Sequence, residues 1–135
     1  MRKRRWLLLL LLPILAAAWY FAPKTFLRGV DPAAVQSILV FDGTTGVGFT
    51  VDDPDDVRLI VEKVQEIRLR RDGISLGRMG YGFRLDFVGE DEKALVPPFC
   101  LNGEGVIRKD PFFYRCDGGL PFGELHAMEE KIQGN

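Results

Sequence analysis

The chain has 135 residues, which is enough for one small folded domain with attachments, and its 47% hydrophobic content excludes a disordered chain. Its 18 basic and 19 acidic residues give a net charge of −1, so we expect no nucleic-acid partner. Two cysteines and one histidine exclude a disulfide-dense scaffold and a zinc-finger ligand set, and we expect neither a cofactor nor a bound metal.

Charge is distributed unevenly along the chain. Residues 2–5 read Arg-Lys-Arg-Arg, and the next 17 residues carry no charge. The remaining 14 basic and 19 acidic residues leave the rest of the chain with a charge of −5. The sequence therefore predicts four segments, which are a basic segment (1–5), an apolar segment (6–22), a juxtamembrane connector (23–36) and an acidic domain (37–133).

The apolar segment fits two interpretations, a transmembrane anchor or a cleaved signal peptide. The basic start, the leucine run and the small residues ending at Ala18 fit a signal peptide that is cut after Ala18. Trp6 at one end, and Trp19 and Tyr20 at the other, are placed as interfacial aromatic belts would be, which favours an uncleaved anchor. At about 25 Å of helix, the segment is near the short limit for spanning a bilayer.

The position of the basic residues predicts the orientation in either case. Residues 2–5 are basic, whereas only Lys24 and Arg28 follow the apolar segment closely. The positive-inside rule then places the N-terminus in the cytoplasm and the remaining chain outside the cell membrane. We expect a single-pass membrane protein, which is secreted instead if cleavage occurs after Ala18.

After the apolar segment, patterning predicts a mixed fold. Asp31 and Pro32 suit the start of one helical turn over 31–36, and Asp42-Gly43 suits a hairpin turn. A helix is predicted from Pro54, because Asp52 or Asp53 can cap it and apolar residues follow at helical spacing. Its end carries Arg68, Arg70 and Arg71, and it stops at 72–73. The predicted strands and helices, in chain order, are strands 37–41 and 47–51, the helix from 54, strands 81–87, 94–101, 106–108 and 112–116, and a helix over 120–133.

This order indicates an α+β fold. We expect an antiparallel sheet of about five to six strands with two helices packed on one face, preceded by a single N-terminal transmembrane or signal helix. Pro97-Pro98 should confine strand 94–101 to an edge or a bulge.

Three sequence patterns carry a family resemblance. They are VxDxxDVxxIVxKVxxIxLRR, YGFRLDF and VIRKDPFFYRC, and they follow a basic start and one apolar segment. Together they resemble small, uncharacterised membrane-anchored or secreted extracytoplasmic α+β domains of Gram-positive bacteria. The resemblance implies an extracytoplasmic location and assigns no functional residue.

Two groups of residues stand out as candidate sites. Cys100 and Cys116 lie in a compartment that permits a disulfide, but they are expected to flank one middle strand at about 9.5 Å, beyond the roughly 7 Å limit for bridged Cα atoms. A disulfide and two separate thiols both remain open. The second group is an aromatic set that exceeds what a small core hides and predicts a binding surface. Its members are Tyr81, Phe83, Phe112, Phe113 and Tyr114.

No residue set has the spacing of a catalytic motif. His126 is the sole histidine, and we interpret it as structural. The sequence therefore favours a non-enzymatic, membrane-tethered binding or accessory module for a protein or cell-envelope component. The alternative is a cell-envelope hydrolase or transferase that uses His126 and Cys116 with the carboxylates of Asp86 and Asp117.

Overall fold

The fold is taken from a computed structural model that describes residues 2–77, 80 and 82–134. It is an α+β fold built on one antiparallel sheet. The elements in chain order are α1 (Arg2–Phe21), β1 (Ser37–Asp42), β2 (Gly48–Val51), α2 (Pro54–Glu66), β3 (Arg70–Ile74), β4 (Phe83–Val88), β5 (Phe99–Leu101), β6 (Val106–Lys109), β7 (Phe112–Arg115) and α3 (Phe122–Gln133). Short 3₁₀ turns occupy Pro32–Ala34 and Glu90–Glu92.

The sheet has seven strands in the described residues, in the order β2-β1-β4-β5-β6-β7-β3. The prediction of five or six strands missed β3, an edge strand that pairs with β7. Of the arginines expected at the end of a helix, Arg70 and Arg71 lie in this strand and Arg68 precedes it, because the helix stops earlier and Ile67 already has extended backbone angles. Asp72-Gly73 therefore lies inside β3 and does not terminate α2.

Helix α2 forms where the local signals predict it. The Asp53 side chain accepts hydrogen bonds from the backbone N–H groups of Asp55 and Asp56, and Pro54 occupies the first turn. The apolar residues at helical spacing are buried against the sheet, and they are Val57, Ile60, Val61 and Val64. The predicted cap and the predicted apolar stripe are both confirmed within the helix.

The core lies on one face of the sheet because side chains alternate along each strand. In β4, Phe83, Leu85 and Phe87 are buried, whereas Arg84 is exposed on the opposite face. Rings of α3 contact Phe83 on the buried face, and an ion pair joins α3 to α2. In the described part of the chain, no helix covers the opposite face, which we call the outer face.

The segment expected as a connector packs into the core. Phe26, Leu27 and Val35 are buried, and the backbone of Lys24 exchanges hydrogen bonds of 2.7 and 2.8 Å with Leu69. These contacts form only when the chain folds back beside α2, which sequence spacing does not reveal. The folded domain therefore begins at about residue 24 and includes the segment that was expected to link it to the anchor.

The predicted strand 94–101 is shorter than expected. Only Phe99–Leu101 forms a strand, and Ala94 makes an isolated bridge to Val88. The two prolines precede β5, so the strand lies in the interior of the sheet, between β4 and β6, without losing hydrogen bonds to proline. The expected helical turn near Asp31 is a single 3₁₀ turn in which Asp31 accepts a hydrogen bond from Ala33 N.

Helix α1 is long and apolar enough to cross a membrane, a property that signal sequences share. It contains Pro13, and its apolar side chains are exposed. Length and composition alone therefore agree with both interpretations of this segment.

Candidate functional site

The predicted aromatic binding surface does not form as one surface. Phe83 is 1% exposed and Tyr114 is 3% exposed, so both belong to the core. This corrects the interpretation of these two residues, whose rings are needed to fill the space between the sheet and the helices. Tyr81 lies outside the described residues.

The other two aromatic residues point to opposite faces. Phe112 shares the buried side of β7 with Tyr114 and contacts Trp19 and Tyr20 at the end of α1. Phe113 lies on the outer face, where the Arg108 guanidinium is 5.9 Å from its ring centroid. Neighbouring residues of a strand alternate between faces, so the run Phe112-Phe113-Tyr114 cannot form one patch.

Both cysteines are half-buried free thiols in the structure. Cys100 lies on β5 and Cys116 follows β7, with β6 between these strands, as the expected strand pairing requires. Burial raises the pKa of the Cys100 thiol. The Cys116 thiol lies 3.6 Å from the carbonyl oxygen of Gly118.

Hydrogen bonds and aromatic contacts hold the C-terminal end of α1 against the folded domain. The Arg71 guanidinium lies 4.0 Å from the Trp19 ring centroid and donates a 2.8 Å hydrogen bond to the Trp19 carbonyl. The Tyr20 hydroxyl accepts a 3.2 Å hydrogen bond from Gly73 N. Phe112 packs edge-to-face against the rings of Trp19 and Tyr20. We call this set of contacts the anchor junction.

A second constellation joins the end of β1 to α3. One ligand atom each from Asp42, His126 and Glu129 lie within 4.8 Å of one another. Asp42 and Glu129 are buried, whereas His126 is exposed. His126 and Glu129 are three residues apart on α3 and so share one side of the helix. We call these three residues the carboxylate–histidine cluster.

Neighbouring groups orient both carboxylates. Asp42 Oδ1 accepts hydrogen bonds from the backbone N–H groups of Thr44 (2.8 Å) and Thr45 (3.4 Å). The Thr45 hydroxyl donates a 2.8 Å hydrogen bond to Glu129 Oε1. With both carboxyl groups ionised, Asp42 Oδ2 is buried and has no hydrogen-bond donor among the described residues. The imidazole of His126 packs against the rings of Phe83 and Phe122.

The two carboxyl groups differ in their tendency to ionise. Burial raises the pKa of Glu129, and the adjacent Asp42 carboxylate raises it further. Burial also opposes ionisation of Asp42, but hydrogen bonds from Thr44, from the Glu129 carboxyl when that group is protonated, and from Thr45 outweigh it and lower the pKa of Asp42. Asp42 therefore ionises more readily than Glu129.

Sequence reasoning missed this cluster. Asp42 was interpreted as a turn residue before Gly43, a role that its turn hydrogen bonds confirm, and His126 was interpreted as structural. The spacing of His126 and Glu129 on one helix was a signal, but the approach of β1 to α3 depends on tertiary structure. Of the alternative catalytic set, Asp86 lies apart from His126, since it pairs with Arg84 at 3.6 Å on the outer face, whereas His126 packs against Phe83 of the buried face.

Comparison of the chain with protein-family models, curated proteins and solved structures gives no match. The proposals below therefore depend on the residues and contacts of this chain.

Proposed function

We propose that this protein is a membrane-tethered extracytoplasmic domain that acts without catalysis as a binding or accessory module for a protein at the membrane surface. Helix α1 is its uncleaved anchor, and residues from Lys24 onward form the domain outside the membrane. The observation that carries the proposal is the anchor junction, which continues the apolar helix directly into the folded domain.

The anchor junction favours an anchor over a signal peptide. The bond between Ala18 and Trp19 lies within α1, so a peptidase that cuts there must act before the end of this helix folds onto the domain. The two residues after this bond, Trp19 and Tyr20, lie in the last turn of α1 and contact β3 and β7. The four basic residues before α1 support a cytoplasmic N-terminus.

The outer face supports a protein partner. Leu39 is 45% exposed, and Phe41 is exposed beside it on the same strand face. Arg84 and Asp86 follow on the neighbouring strand, so apolar groups and charges of both signs are mixed. Protein interfaces have this mixed character, whereas a surface for anionic envelope polymers would be mainly cationic.

Topology and cleavage are tested on the full chain in cells. A C-terminal alkaline phosphatase fusion should be active, and the protein should stay in the membrane pellet after carbonate extraction with the mass of the uncleaved chain. A mature chain that begins at Trp19 would contradict the uncleaved anchor. An inactive phosphatase fusion, together with fluorescence from a C-terminal fusion to a reporter that folds only in the cytoplasm, would contradict the orientation.

Partner binding is tested by site-specific photo-cross-linking in intact cells. A cross-linking amino acid at Leu39 should give a discrete protein adduct in the membrane fraction. The matched control is Leu59 on α2, which is 40% exposed on the helical side of the domain. Equal adducts from both positions, or an adduct with a glycan at Leu39, would contradict a protein partner at the outer face.

A further inference from the structure

We propose that Asp42, His126 and Glu129 form a binding site for a divalent transition-metal ion of the zinc class. The site lies where β1 ends in the Asp42 turn and meets the middle of α3. It adds a bound ion to a domain whose proposed function does not require one.

The spacing of the three side chains suits one ion. Zinc binds imidazole nitrogen and carboxylate oxygen at about 2.0–2.2 Å, so two ligands of a tetrahedral site are roughly 3.4 Å apart. The ligand atoms of Asp42, His126 and Glu129 already lie within 4.8 Å of one another. Side-chain movements of about 1 Å bring all three to an ion.

The buried oxygen of Asp42 is the second observation that indicates a ligand. Asp42 is 1% exposed, and with both carboxyl groups ionised its Oδ2 has no donor among the described residues. Its neighbour Glu129 is also buried and also offers acceptor oxygens. Two ionised carboxylates buried at this spacing need a compensating positive charge, which is either a shared proton or a bound cation, because a buried, unpaired charge is strongly destabilising.

The surrounding groups leave one oxygen of each carboxylate for the ion. Thr44 and Thr45 occupy Asp42 Oδ1, and the Thr45 hydroxyl occupies Glu129 Oε1. Bound metals are commonly held by ligands that are oriented in this way through hydrogen bonds to their other atoms. The two aromatic rings beside His126 restrict the orientation of its imidazole in the same sense.

The donor set selects the class of ion. Calcium takes six to eight oxygen ligands, and magnesium keeps most of its waters, whereas imidazole is a ligand for zinc and neighbouring transition metals. Three protein ligands leave a fourth tetrahedral position. Because His126 is exposed, this position faces solvent and is open to water or to a donor group from a partner.

The test is titration of the metal-free full chain in detergent micelles with zinc chloride, followed by calorimetry. We expect one ion per chain and a higher melting temperature with zinc than with calcium or magnesium. His126→Ala and Glu129→Gln should each weaken zinc binding about 100-fold or more, and Thr45→Val should weaken it about 10-fold. Glu130→Gln, at the exposed neighbouring carboxylate, is the matched control and should bind zinc as the unmodified chain does.

Two results would overturn the proposal. One is the absence of zinc binding by the folded chain, which would leave a proton shared by Asp42 and Glu129 as the compensating charge. The other is zinc binding that Glu129→Gln and Glu130→Gln weaken equally. His126→Ala removes an exposed side chain, so it keeps the test decisive if Glu129→Gln fails to fold, as judged by circular dichroism.

Discussion

At the scale of single residues, Gly82 lies in a tightly packed position of the fold. A Cβ atom there would lie 2.5 Å from the carbonyl oxygen of Leu101 and 2.9 Å from Cε2 of Phe122. The backbone of Gly82 also donates a 3.1 Å hydrogen bond to the Asn102 side chain. Only a residue without a side chain allows β4 to begin this close to β5 and α3.

Gly82→Ala should therefore destabilise the domain by about 1–3 kcal/mol, because neighbouring backbone must move to accept the methyl group. Gly48→Ala is the matched control, since its Cβ would meet no atom closer than 3.8 Å. Equilibrium urea unfolding of both variants checks the prediction. Equal stability of the two would show that the contact around Gly82 relaxes without cost.

The cysteines give a second prediction at this scale. Alkylation of the unfolded chain without reductant should add two labels by mass, because both thiols are free and β6 separates their strands. In the folded chain, Cys100 should react slowly, because burial raises its pKa and lowers its thiolate fraction. A mass without added labels would show a disulfide.

At the scale of elements, α2 and α3 are joined by one ion pair. Lys63 Nζ lies 2.6 Å from Glu124 Oε1, and about a third of each side chain is exposed. The hydrogen bond from Lys63 lowers the pKa of Glu124, although burial acts against this. A carboxyl pKa that folding lowers stabilises the domain above the unfolded-state pKa of about 4.3, and this stabilisation is lost as the pH falls through the folded-state value.

Lys63→Met should therefore cost less than about 1 kcal/mol at pH 7, and the difference from the unmodified chain should shrink below about pH 4. Urea unfolding across pH 3–7 measures this. Lys93→Met, at an exposed lysine that follows the Glu90–Glu92 turn, is the control and should show no such convergence. A difference that stays constant with pH would assign the effect to packing of the lysine stem.

The anchor junction also acts at the scale of elements. Arg71→Ala removes the cation over the Trp19 ring and the hydrogen bond to the Trp19 carbonyl, so the end of α1 should detach more often. We expect several-fold faster proteolysis between Trp19 and Lys24 in detergent micelles, since about 1 kcal/mol of local stability changes the open population about fivefold. Arg70→Ala, at the exposed neighbour on β3, should leave the rate unchanged; equal rates in the two variants would contradict this role of Arg71.

At the scale of the whole molecule, the segment after α1 is part of one core. Phe26, Leu27 and Val35 are buried, and burying side chains of this size contributes about 1.5–3 kcal/mol each. Their sum approaches the whole stability of a small domain, which is about 5–15 kcal/mol. A chain that begins at residue 37 should therefore be largely unfolded by circular dichroism, whereas one that begins at residue 23 should fold. If the chain that begins at residue 37 folds, residues 23–36 are not required for the core.

The sequence predicts this fold where the signals are local. The Asp53 cap and the apolar spacing define α2, and the alternation of Phe83, Leu85 and Phe87 defines β4. Strand β3 was missed because Arg-Arg-Asp-Gly-Ile has no apolar alternation and is held by pairing with β7. The carboxylate–histidine cluster was missed for a related reason, since it exists only after β1 and α3 meet.

The short link after α1 limits how far this protein extends from a bilayer. Only Ala22 and Pro23 lie between the end of α1 and Lys24, which is bound to Leu69, so the gap is at most about 11 Å. A domain of about 110 residues is roughly 35 Å across. With α1 in the membrane, no long linker separates the domain from the bilayer, and the domain extends to roughly 45 Å from the lipid surface. A partner embedded in the same membrane or resting on it lies within that reach, whereas one fixed in an outer layer of the envelope does not.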